Sequence, residues 1–237
     1  MCRNGNQERK LPAEEKMASK WKKRYALAVL AGLLLVPAAF AAMRSIELPL
    51  AKTPPVVDGK LGPGEWDGAY AMTEFKTFQP DFGKDPSQKT EAYFLYDASN
   101  LYFAFRCSDT EPSKIKASLS KRDDMFADDF VGVILDTYNT MQSGYGFLVN
   151  PLGIQGDGIM NIQGNLQGDQ DFVWDSKGQL NDEGWIVEYR IPLQSIRFPA
   201  GETITFRVGY FRQFVRTSEV ASAPAIYPDK GSIIAQT

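Results

Sequence analysis

The chain has 237 residues, 43% hydrophobic and 23% charged, a balance that excludes wholesale disorder. Histidine is absent, which removes every mechanism that needs an imidazole, from Ser-His-Asp and Cys-His nucleophiles to His-ligated zinc and haem. A formal net charge of −3 argues against a dedicated nucleic-acid binder.

The N-terminus reads as a targeting segment. Lys20, Lys22, Lys23 and Arg24 precede an apolar run from Tyr25 to Val36, which Pro37 breaks. Ala39-Phe40-Ala41 then supplies the small-x-small pattern that signal peptidase reads. The expectation is a signal peptide over residues 1–41, cleaved after Ala41, and a chain exported to the periplasm, the outer membrane or the cell exterior. The run is shorter than the roughly 20 residues a spanning helix needs. Met17 is the more natural start, so residues 1–16 read as the product of a mis-called start codon. Cys2 leaves with this segment, and Cys107 is then the single thiol. It lies in the run Leu101–Cys107 and reads as a small buried apolar residue.

Residues 42–216 have a period of two. Glu91–Tyr96 and Leu101–Arg106 are separated by Asp97-Ala98-Ser99-Asn100, residues that favour tight turns, which predicts a β-hairpin. Pro112–Ser120 is expected as one short helix. Phe130–Tyr138, Gly144–Val149, Trp185–Ile191 and Thr203–Phe211 follow as strands, with Leu193–Ile196 as a single helical turn. Phe103, Phe105, Val133, Leu135, Trp185, Val187, Tyr189, Phe206 and Val208 form the expected core. The glycines 153, 156, 158, 164 and 168 read as hairpin turns and bulges. No βαβ alternation occurs, so the predicted fold is all-β: an antiparallel sandwich, jelly-roll or immunoglobulin-like, with one short helix. Residues 217–237 are small, polar and aperiodic, and read as a linker or truncated tail.

Few residues carry legible chemistry. Asp123, Asp124, Asp128 and Asp129 crowd a loop before a strand. Either they form a solvated loop or they supply hard oxygen ligands to calcium or contacts to sugar hydroxyls. Trp66 follows Pro63-Gly64-Glu65 and is expected to anchor the first turn on the sheet. Trp174, among Phe172, Asp175 and Ser176, is the strongest candidate for an exposed ring, of the kind that packs on a pyranose face. No nucleophile–base pair and no metal-ligand set is legible, so an enzyme is the least supported class.

An ordered series of short strings remains. It runs Val57-Asp58-Gly59-Lys60-Leu61, Glu65-Trp66, Tyr96-Asp97, Leu101-Tyr102, Asp109, Pro112-Ser113-Lys114-Ile115, Arg122-Asp123-Asp124 and Asp128-Asp129-Phe130-Val131-Gly132-Val133. It continues through Leu135-Asp136, Asn150-Pro151-Leu152-Gly153, Gly184-Trp185, Glu188, Arg190-Ile191-Pro192 and Ile196-Arg197-Phe198. Together these resemble the family 9 carbohydrate-binding-module-like domain, from about Ile46 to Phe214. In particular they look like the version at the N-terminus of large exported bacterial proteins whose remainder is a β-rich, outer-membrane-receptor-like region.

The resemblance implies a non-catalytic β-sandwich linked to xylanases and other glycoside hydrolases. It implies the end of a sugar chain gripped between two Trp rings, polar side chains on the hydroxyls, and structural calcium. Phe126 stands near the first Trp and Asn150 near a hydroxyl-binding Asn. Gly132 replaces a Glu, and Ala221-Ser222-Ala223-Pro224 occupies the place of the second Trp. The site implied is Phe126, Asp129, Asn150 and Trp174 for a polysaccharide or oligosaccharide, with Asp123, Asp124 and Asp128 for calcium. The alternative is a structural or protein-interaction domain that precedes an outer-membrane barrel.

Overall fold

A computed structural model describes residues 45–237, and residues 47–237 form one compact unit. The predicted signal peptide lies outside the described residues. Twelve strands carry the fold: β1 (Tyr70–Met72), β2 (Lys76–Gln79), β3 (Thr90–Tyr96), β4 (Asn100–Ser108), β5 (Phe130–Asp136), β6 (Ser143–Val149), β7 (Gln155–Asn161), β8 (Leu166–Gln167), β9 (Asp175–Asn181), β10 (Gly184–Pro192), β11 (Arg207–Phe214) and β12 (Glu219–Ala223). They make two antiparallel sheets, ordered β1-β3-β4-β10-β9 and β2-β12-β11-β5-β6-β7-β8.

The alternation read from the sequence decides which face of each strand is buried. Phe103, Phe105, Trp185, Val187 and Tyr189 project from the five-stranded sheet onto Val133, Leu135, Phe147 and Tyr210 of the seven-stranded one. Cross-strand register places Phe94 and Tyr189 on either side of Phe103, with ring centroids 4.1 and 5.3 Å away. Phe206 and Val208 are half-buried against this core. Cys107 lies within it, and burial pushes its thiol up to about 12, so it is protonated and unreactive at neutral pH.

The outer face of the five-stranded sheet is capped by the segment around Asp58–Trp66. Glu188 is fully buried there. Its Oε2 accepts the backbone N–H groups of Asp58, Gly59 and Lys60 at 2.9–3.2 Å, and its Oε1 accepts Trp66 Nε1–H at 2.9 Å. Two of the separated strings in the sequence are therefore one clasp, and Trp66 anchors the segment as expected.

Three expectations are corrected. The helix predicted over Pro112–Ser120 is a single 3₁₀ turn at Pro112–Lys114, none of whose residues is buried, so no packed face stabilises further helical turns. The strand expected from Thr203 begins at Arg207, opposite Asp136, where β5 ends and pairing runs out. Residues 217–237 are no linker. They contribute β12, paired between β11 and β2, and a closing segment that buries Ile226 and Ile234.

Candidate functional site

The seven-stranded sheet turns an outer face to the opposite side. Part of that face is covered by the C-terminal segment and by Leu166. The remainder, at the end where β5 starts and β11 finishes, is open. Phe130 of β5 pairs with Gln213 of β11, Gln213 with Val220 of β12, and Val220 with Gln79 of β2. By the period of two, Phe130, Gln213 and Val220 face away from the core and are half-buried, and the exposed Gln79 lies beside Val220 across a register shift in the β12–β2 pair. No hydrogen bond engages the amide of Gln213 or Gln79 among the described residues.

Phe126 completes the row at its other end. Its ring is 46% exposed and meets Phe130 edge-on at 6.0 Å. The loop that presents it is firmly held. Asp123, in the left-handed region that Asp tolerates, donates its N–H to Gln155 O at 2.9 Å and accepts Asp157 N–H on Oδ1 at 3.0 Å. Arg122 pairs through Nε and Nη2 with the buried carboxylate of Asp157 and donates to Phe172 O. Met125 is buried next to Gly156, where a Cβ would come within 3.3 Å of Phe126 Cζ. A side chain at 156 would thus push against the ring that Gly156 supports.

The other residues named from the sequence are consumed by the scaffold. Asn150 is fully buried. Its Nδ2 donates to Ser118 O and Asp128 Oδ2 at 3.0 and 2.9 Å, while its Oδ1 accepts the N–H groups of Leu152 and Ile154 at 3.0 and 2.9 Å. Two donors and two acceptor sites are filled, which leaves the amide nothing to offer a hydroxyl. Asp129 is 3% exposed and accepts Val215 N–H at 2.8 Å; burial raises its carboxyl above the usual range, against the pull of that bond. Trp174, expected as an exposed ring, is 5% exposed and packs edge-on between Phe147 and Tyr189 at 5.2 and 5.5 Å. The neighbouring Phe172 packs on Tyr145 and Phe147 and is held by backbone bonds to Arg122 and Asp157.

Asp123, Asp124 and Asp128 do not converge. Asp123 faces β7, Asp128 Oδ2 accepts Ser118 N–H and Asn150 Nδ2–H, and Asp124 is exposed. Among the described residues no three His, Cys, Asp or Glu side chains could hold a metal. The calcium expected at these acids finds no carboxylate set among the described residues.

Sequence reasoning missed Phe130 as a surface ring, together with Gln213, Val220 and Gln79. Gln213 was within reach, since the alternation from Val208 continues two residues past the predicted strand end. Gln79 carried no periodic signal, because β2 has only four residues.

An open row of two rings, two free amides and an aliphatic side chain suits a ligand with apolar faces and hydroxyl edges. Residues 57–221 match the model of the carbohydrate family 9 binding domain-like family. Among solved structures, a family 9 carbohydrate-binding module from Caldicellulosiruptor kristjanssonii in complex with glucose is 16% identical, with a TM-score of 0.53 over 80% of this chain and 91% of that one. A putative carbohydrate-binding protein from Bacteroides uniformis is 12% identical, with a TM-score of 0.56 over 76% and 88% of the two chains. At such identities the likeness is one of fold. No curated protein matches the chain. The family match spans the clasp at Asp58–Trp66, the Phe126 loop and the strands beneath it, and the chain belongs to the carbohydrate family 9 binding domain-like family.

Proposed function

We propose that the chain is a non-catalytic carbohydrate-binding module of an exported protein, and that it binds on the open row of the seven-stranded sheet. The observation that carries this reading is Phe126: a large ring left exposed by a loop that Asp123, the Arg122–Asp157 pair and the buried Met125 hold in place. The ring adjoins the half-buried Phe130, so the two form a contiguous apolar patch at the end of the sheet. The family relation and the sugar-bound neighbour support the same ligand class. Export rests on the basic and apolar N-terminal pattern, and attachment to a xylan-degrading hydrolase on the resemblance of the sequence.

A glycan array tests the binding. The wild-type protein is expected to retain one class of neutral glycan, in weak association on the order of 0.1–1 mM, since a single exposed ring supplies the stacking. Phe126→Ala should abolish that signal and leave the melting temperature within about 2 °C. A large fall in stability with unchanged glycan retention would show that Phe126 serves the scaffold instead. A second reading, a structural or protein-interaction domain ahead of a membrane barrel, draws on the burial of Asn150, Asp129 and Trp174, and an empty array would favour it.

A further inference from the structure

We infer that the outer face of the five-stranded sheet carries a second, smaller site: a cleft for a free α-amino acid with an aliphatic side chain. It lies on the opposite side of the sandwich from the Phe126 row and is independent of the carbohydrate reading.

A cleft of about 190 Å³ opens beside the clasp, and its lining includes Leu61, Arg106, Asn181, Glu183 and Ile186. It is smaller than the roughly 300–1,000 Å³ of sites that enclose drug-sized ligands, so it suits one small molecule and not a chain. Register explains how the strands build it. Arg106 of β4 and Ile186 of β10 are cross-strand partners, and both alternate with the buried Cys107 and Trp185, so they point outward. Asn181 ends β9 opposite Gly184 of β10, on the same outer face. Glu188, two residues from Ile186 on that face, accepts Lys60 N–H at 3.2 Å, which brings the next residue, Leu61, to the cleft as an apolar wall. The turn on the far side is fixed. Asn181 Oδ1 accepts Glu183 N–H at 2.9 Å, and Glu183 O accepts Asp109 N–H at 2.8 Å. At Gly184 a Cβ would come 2.0 Å from Cys107 O, so glycine lets the turn close against β4.

The chemistry of the lining is that of a zwitterion's complement. Arg106 and Glu183 bring opposite charges to one cleft, and among the described residues no hydrogen bond or ion pair engages either side chain. Glu91, opposite Arg106 on β3, is already bonded by Lys89 at 2.8 Å. An α-amino acid supplies a carboxylate for the Arg106 fork and an ammonium for Glu183. The Asn181 Nδ2 donor stands free beside them, since only its Oδ1 is used by the turn. Leu61 and Ile186, both half-buried, offer apolar surface to an aliphatic side chain. A neutral ligand would leave both charges unanswered.

Titration of the protein with L-leucine, followed by backbone amide chemical shifts, tests this. Shifts are expected at Ser108, Asn181, Glu183 and Ile186, with a dissociation constant on the order of 1–10 mM, because both charges are exposed. L-Leucinamide, which lacks the carboxylate, and N-acetyl-L-leucine, which lacks the ammonium, should each bind roughly two- to fivefold more weakly. Glycine should also bind more weakly than leucine. Arg106→Gln should lower leucine to the affinity of leucinamide and leave leucinamide unchanged. Glu183→Gln should do the same with respect to N-acetyl-leucine. Both variants should melt with the wild type, since neither side chain has a partner to lose. An unchanged spectrum at tens of millimolar leucine, equal binding of leucine and its two capped forms, or variants that bind leucine as the wild type does would each overturn the site and leave carbohydrate binding at Phe126 untouched.

Discussion

Asn150 shows how a polar side chain can look like a ligand contact and be a beam of the scaffold. In the sequence it ends a strand and precedes Pro151, beside a candidate sugar-stacking ring. In the fold it joins three segments: the strand start near Asp128, the loop at Ser118 and the turn at Leu152–Ile154. Asn150→Ala leaves four partners without it, one of them a buried carboxylate, and is expected to cost at least about 2 kcal/mol in denaturant unfolding. A binding role would instead leave stability unchanged. Residue identity alone could not separate these outcomes, because saturation of an amide depends on partners 22 and 32 positions away. The exposure of Phe126 was legible for the converse reason. Asp123, Asp124, Asp128 and Asp129 around it marked a loop, and a loop at a sheet end gives a large ring few places to hide.

At the scale of elements, strands declared themselves wherever side chains alternated over six or more residues, and β3, β4, β5, β6 and β10 lie where the alternation put them. The turn between β3 and β4 forms for the reason its composition suggested. Asp97 accepts the N–H groups of Ser99 and Asn100 at 2.7 Å and the hydroxyl of Tyr102 at 2.7 Å. Partial burial raises the carboxyl, but these bonds outweigh it and hold Asp97 below its ordinary range, while burial and the same contact push Tyr102 up to about 12. A carboxyl whose folded value is depressed adds stability above its unfolded value of about 3.9, and that contribution disappears as pH falls through the folded value. Asp97→Asn should therefore destabilise the domain near neutral pH, and the gap between variant and wild type should close as pH drops below about 4. A gap independent of pH would assign the effect to geometry alone. Short elements were silent: β2 and β12 have four and five residues, too few for a pattern, and only the small Ala221 and Ala223 of β12 reach the core.

The whole molecule has a division of labour between its outer faces. On the five-stranded sheet, the Asp58–Trp66 clasp closes over Glu188. On the seven-stranded sheet, the C-terminal segment covers one part and leaves the Phe126–Gln79 row open. Among the described residues no helix is long and apolar enough to cross a membrane. If the N-terminal pattern acts as read, mass spectrometry of the protein recovered from the cell envelope should find Ala42 at the N-terminus, and retention of residues before Ala39 would contradict export by cleavage. The claim that ties these scales together is that the open row binds carbohydrate. Backbone amide chemical shifts recorded while a neutral glycan retained on the array is added test it most directly. Shifts are expected to concentrate at Phe126, Phe130, Gln213, Val220 and Gln79, with Glu188 and the clasp unmoved. Shifts confined to the opposite sheet, or an unchanged spectrum at millimolar glycan, would contradict it.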